Sequence, residues 1–166
     1  VDSGFSGHFE GLKQLTENIK IYSKPKPIES LIEELTEELG NRFEEEGSQG
    51  RIVVSLLNIH KFKDLRKDED AYDFPETTKK FFKLLKDAPD YGIHFFVHAL
   101  NYNGLMTLLE QKHLKEFENV IVLKGEDPEK HIDSYGIKTI KDEKIAYLKS
   151  PETKYPLDLF KIYSKN

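Results

Sequence analysis

Asp90-Tyr91-Gly92-Ile93-His94-Phe95-Phe96-Val97-His98-Ala99-Leu100-Asn101 decides how the rest of the chain is read. Pro89 and Gly92 punctuate a tight turn, and the apolar run after them, Ile93 to Ala99, predicts a buried strand that ends in a polar loop. A helix-like run, Thr77 to Leu85, stands just before that turn. Helix, turn and solid apolar strand in close succession are the unit of an α/β fold. In such folds the loop after a strand lies at the carboxyl edge of the sheet, where ligands bind.

Working upstream, the helix is expected over Pro75 to Lys86, with Phe81, Phe82 and Leu85 facing inward. Residues His60 to Phe74 are charged and read as a loop. Before them, Ile52-Val53-Val54-Ser55-Leu56-Leu57 is apolar without alternation, which predicts a strand buried on both faces of a parallel sheet. Farther back, Ile28, Leu31, Ile32, Leu35, Leu39 and Phe43 recur at three and four, one apolar stripe on a long helix. Pro27 suits its first turn, and the helix should end near Glu46, before Gly47 and Gly50. Lys24-Pro25-Lys26-Pro27 is a rigid connector, and residues 1–26 form a loosely ordered lead-in.

Downstream, a third helix is expected after Asn101 or Asn103, carrying Leu105, Met106, Leu108 and Leu109. Val120 to Leu123 reads as another buried strand, and Asp127-Pro128 opens a short helix toward Ser134. Lys144 to Leu148 and Leu157 to Tyr163 read as two closing strands. The expected architecture is a single α/β domain over residues 1–166, with its core in 27–166. Its sheet is mostly parallel, flanked by helices and finished by an antiparallel hairpin.

Composition narrows the function classes. The chain has 166 residues, enough for one domain with a real core, and a formal charge of −5. An acidic balance disfavours nucleic-acid binding by this piece alone, because phosphate contacts need concentrated Lys and Arg. There is no cysteine, which rules out disulfides, thiolate zinc sites and a cysteine nucleophile, and fits a cytoplasmic protein. No apolar run approaches the length needed to cross a bilayer, so direct membrane insertion is not expected. The chain starts at Val1 with no signal-like segment, as a piece cut from a longer chain would.

The serial order of several segments resembles the FtsK/SpoIIIE/HerA-type P-loop ATPases. The helix Leu31 to Phe43 is similar to that family's acidic helix before the Walker B strand. Ile52 to Leu57 then stands in the Walker B place, followed by Lys61-Phe62-Lys63-Asp64-Leu65-Arg66. Leu84 through His94 resembles the family's helix–turn–strand pattern, and Phe160-Lys161-Ile162-Tyr163 its closing strand, with Ile162 in place of proline. The resemblance implies a partial RecA-like sheet and, in the parent protein, ATP and Mg. It also implies DNA-translocase activity, with other domains or subunits of a motor ring, and DNA through the full-length protein, as partners.

Two departures weigh against hydrolysis. No G-x-x-x-x-G-K-[ST] loop occurs, so the phosphate cradle is missing from this chain. The Walker B position is degenerate as well: the strand ends Leu57-Asn58-Ile59-His60, without the carboxylate that holds magnesium. No catalytic residue is therefore assigned, and no cofactor is expected for this stretch alone. The resemblance places Asn58, His60, His98 and Asn101 near the nucleotide. Asn101 also suits a cap for the next helix, Asn58 and His60 suit a solvated loop, and His94 and His98 suit histidines satisfied by a backbone group in the sheet or its helix layer. His94 and His98, four apart in the expected strand, face one way but find no third ligand at matching spacing, so no metal site is expected. Asp68-Glu69-Asp70 with Asp73 is acidic but lacks the spacing and glycine of a calcium loop. A non-catalytic α/β protein-interaction module derived from such an ATPase is the alternative reading.

Overall fold

The computed structural model describes residues 14, 18, 28–44, 50–68, 70–125, 141–142, 144–152 and 158–161. Helix α1 runs Ile28–Glu44 because its apolar residues return every three or four positions, and Ile28, Ile32, Leu35 and Leu39 are buried along that stripe. Strand β1, Ile52–Leu56, pairs in parallel with β2, Ile93–Val97, with Val54 opposite Phe95 and Leu56 opposite Val97. Between them lie helix α2, Glu76–Asp87, and the 3-10 turn Ala88–Tyr91. Gly92 closes that turn at φ 75°, a left-handed conformation that only glycine adopts without penalty.

The core lies between the helices and one face of the parallel pair. From α2, Phe81, Leu84 and Leu85 are buried, and Phe81 meets Phe95 of β2 edge-on with ring centroids 5.8 Å apart. Leu56 and Ile93 are buried from the strands. Burying each such aliphatic side chain contributes about 1.5 to 3 kcal/mol. The two helices also pack on each other, and Lys80 bridges to Glu33 across them at 2.5 Å.

The segment expected to be loop, His60 to Phe74, is more ordered at its start. The 3-10 turns Ile59–Lys61 and Lys63–Leu65 drive Ile59, Phe62 and Leu65 into the core. Thr78 of α2 pins the second of them, its buried hydroxyl donating to the Leu65 carbonyl at 2.8 Å.

The remaining strands form a second sheet. β3, Val120–Val122, β4, Ile145–Lys149, and β5, Asp158–Lys161, are antiparallel in the order β3-β4-β5. The single, mostly parallel sheet expected from sequence is thus replaced by a parallel pair and a separate antiparallel sheet. The reason is physical: an apolar run such as Val120-Ile121-Val122 specifies a strand but not its partner. The chain clusters into two compact units, residues 1–100 with 104–108, and residues 101–103 with 109–166. Short helices α3, Tyr102–Met106, and α4, Gln111–Leu114, stand where one longer helix was expected after Asn101. In α4 the Glu110 and His113 side chains cap each other's backbone amides. The helix expected after Asp127 falls outside the described residues.

A second correction concerns β1. Its outward residues are not covered: Val53 is 68 % exposed, Phe96 beside it on β2 is 52 % exposed, and Ser55 and His94 share that open face. The expectation of burial on both faces therefore holds for one face only. Phe43, placed on the apolar stripe of α1, is likewise exposed and packs at a tilt of 55° against Tyr91, with ring centroids 4.2 Å apart.

The neighbouring Arg42 is buried instead. Its Nε bonds Glu38 at 2.7 Å, Nη1 donates to the Tyr91 carbonyl at 2.7 Å and Nη2 to the Gly50 carbonyl at 2.9 Å. A buried guanidinium is stable only when its donors are satisfied this way. Arg42 therefore ties the end of α1 to the chain just before each of the two parallel strands.

Candidate functional site

Parallel pairing puts the carboxyl ends of β1 and β2 at one edge. The backbone ladder runs one step past the strands there. His98 N–H donates to the Leu56 carbonyl at 2.9 Å, and Ile59 N–H donates to the His98 carbonyl at 2.9 Å. Between these bonds β1 must turn sharply, and Asn58 makes the turn at φ 55°, ψ 48°. Among non-glycine residues asparagine tolerates this left-handed region best. It is the one such residue among those described.

Two imidazoles close the edge. The His98 Nδ1 accepts the Asn58 N–H at 3.3 Å, and the His60 Nδ1 accepts the Leu100 N–H at 3.4 Å. Each histidine thus satisfies a backbone amide in the chain segment that leaves the other strand. Both bonds are long, which puts each at the weaker end of the range. An Nδ1 that accepts leaves the ring proton on Nε2, so the geometry calls for the neutral imidazole in both residues. Burial comes first, then the electrostatic effect of Lys61, His98 and Arg66, in lowering His60 from its ordinary value. Arg66 also donates from Nη2 to the His60 carbonyl, while its Nε is buried without a hydrogen-bond partner among the described residues.

Of the residues expected near a nucleotide, Asn58, His60 and His98 are brought together in this cluster. Asn101 belongs to the other compact unit, where it is exposed and directly precedes α3. No match to a known protein identifies the cluster. No family model matches the chain, and no curated protein or solved structure matches it either. Its chemistry has to be read from the side chains alone.

Magnesium does not fit. It requires hard oxygen ligands in an octahedral shell, whereas Asn58, His60, Lys61, Arg66 and His98 offer a single amide oxygen, two imidazoles and two cations. A transition metal fits little better, because a metal on Nε2 would force the proton onto Nδ1 and break the bonds to Asn58 and Leu100. Among the described residues no three His, Asp or Glu side chains group closely enough to hold a metal ion. His94, considered with His98 as a ligand pair, is exposed on the open face opposite Val53.

The acidic stretch around Asp73 is occupied locally. Lys79 bridges Asp73 at 2.9 Å and Glu76 at 2.8 Å. These hydrogen bonds raise the Lys79 ammonium to about 12, and the Lys79 bond comes first in lowering the Asp73 carboxyl. The described residues Asp68, Asp70 and Asp73 are all exposed.

Sequence reasoning missed Lys61 and Arg66 as neighbours of His60. The available signal was the basic run Lys61, Lys63, Arg66 placed directly after the strand end. What the cluster can do chemically is limited: it offers imidazole N–H donors and nearby cations, suited to recognising an electron-rich group, and lacks a carboxylate base.

Proposed function

We propose that this chain is the C-terminal part of an FtsK/HerA-like ATPase domain that does not hydrolyse ATP by itself and acts in nucleotide binding, assembly or regulation within a larger motor. The observation that carries this reading is the meeting of Asn58, His60 and His98 at the carboxyl edge of adjacent parallel strands, where ligands of α/β folds bind. On this reading ATP and magnesium are held chiefly by a P-loop elsewhere in the parent polypeptide. The strand-end donors and the cations Lys61 and Arg66 face the phosphate side. Partners are then other domains or subunits of a cytoplasmic motor ring, with DNA engaged by the whole assembly.

The test is the reading frame upstream of Val1. A G-x-x-x-x-G-K-[ST] motif at a strand end within about one βαβ unit supports the proposal if the extended protein binds ATP and His60→Ala weakens that binding. Absence of the motif, or ATP affinity indifferent to His60 and Asn58, removes it. The present chain alone is expected to show no turnover above background; turnover abolished by a substitution within it would overturn that part.

A second reading has its own support. The exposed Val53 and Phe96 leave an apolar patch on a parallel pair, a sheet type ordinarily covered on both faces. That favours a non-catalytic interaction module derived from such an ATPase. Under it, Phe96→Asp abolishes association with the rest of the parent protein while leaving nucleotide affinity unchanged.

A further inference from the structure

We propose that His60 and His98 form a proton-operated latch that holds the carboxyl ends of β1 and β2 closed as neutral imidazoles and releases both turns when protonated. The geometry is reciprocal. His98, which follows β2, caps the amide of Asn58 in the turn after β1, and His60, in that turn's 3-10 helix, caps the amide of Leu100 in the segment after β2. Both bonds use Nδ1 as acceptor. A proton on Nδ1 converts each acceptor into a donor facing an N–H, so the loss is a repulsion as well as a missing bond.

The groups around the latch add to this bias. Lys61 from the same 3-10 turn, Arg66 just beyond the next one and His98 from the β2 side all act on His60, and among the described residues no carboxylate joins them. His94 stands four residues before His98 in β2, exposed. A proton on His60 therefore adds positive charge beside Lys61 and Arg66. Asn58 supplies the moving part. Its left-handed backbone is held by the His98 contacts at its own N–H and at that of Ile59, and its ordinary alternative is an extended or right-handed conformation. The Asn58 carbonyl also accepts the Lys61 N–H at 2.9 Å, and release of the His98 ring removes the restraint on the Asn58 N–H.

The latch does not depend on whether a nucleotide binds. Its test is amide exchange of Asn58 and Leu100 followed by NMR from about pH 7.5 to about pH 5.5, the range in which histidines titrate, together with the ring-nitrogen shifts of both histidines. Protection factors corrected for intrinsic exchange are expected to fall about five- to tenfold at both amides, in step with ring titration. Other amides of β1 and β2 should keep theirs. In His98→Asn the side-chain oxygen can accept the same N–H without titrating, so Asn58 should stay protected across the range while Leu100 still responds. Protection that is flat while the rings titrate, rings carrying the Nδ1 proton at about pH 7.5, or a His98→Asn protein whose Asn58 responds like the wild type would each overturn the proposal. If the variant fails to fold, the wild-type titration and ring shifts decide alone.

Discussion

The parallel pair and the antiparallel sheet solve the same problem at different sequence range. Val54 and Phe95 sit side by side only because α2 and its flanking turns return the chain across the intervening residues. That detour brings helices to cover one face, so Leu56 and Ile93 are almost wholly removed from water. In the antiparallel sheet, β4 and β5 are neighbours in sequence and in space. Its burial is sparse, with Val122 and Ala146 buried but Ile121 and Leu159 more than half exposed. The β1–β2 pairing thus coincides with depth and with the strand-end cluster, and the β4–β5 pairing with a sheet whose described residues are sparsely buried.

Substitutions can break that contrast in order of severity. Phe81→Ala removes the ring between α2 and β2 and should cost about 3 to 5 kcal/mol, read from chemical denaturation. Arg42→Met keeps the bulk of the side chain but deserts the carbonyls of Gly50 and Tyr91. About 2 to 3 kcal/mol should be lost by the same measurement. Thr78→Val leaves the Leu65 carbonyl without its buried partner for about 1 to 2 kcal/mol. Leu159→Ala in β5, being 58 % exposed, should shift stability by no more than about 0.5 kcal/mol. A loss at Leu159 comparable to that at Phe81 would show that depth does not separate the two regions.

Acid should act on the first region with the smallest effect. Folding lowers the His60 value below that of the unfolded chain, so the unfolded state binds the proton more readily. The contribution is fully present above the ordinary histidine value. It is lost as pH falls from there through the lowered folded one. Comparing the pH dependence of unfolding in the wild type and in His60→Asn isolates it: the variant's curve should be flatter across that window. Parallel curves would remove His60 from the account.

Much of the first region was legible in the sequence, for reasons tied to local pattern. The stripe from Ile28 to Leu39 sets α1, and Pro89 with Gly92 marks the turn that feeds β2. The apolar runs at Ile52 and Ile93 announce strands, and the structure joins them in parallel as expected. Partner choice was less legible, because nothing in Val120 to Val122 distinguishes a parallel neighbour from the antiparallel β4 it has. Arg42 was hidden since charge at a helix end ordinarily means solvent, and its three acceptors lie in other turns of the chain or on backbone. The cluster was half legible. Asn58, His60 and His98 were picked out as strand-end polar residues, but their reciprocal capping depends on backbone amides, which no side-chain pattern reports.

The Arg42 guanidinium also bears on the alignment of the two parallel strands. It reaches across 8 residues to Gly50 and 49 residues to Tyr91, the positions from which both strands set out. A parallel pair of five-residue strands has little of its own to choose an alignment, and a shift by one residue would turn Leu56 outward and Ser55 inward. With both starting points fastened to one side chain, alignment is inherited from α1. The histidines stand at the opposite end of the pair, beyond its last aligned residues.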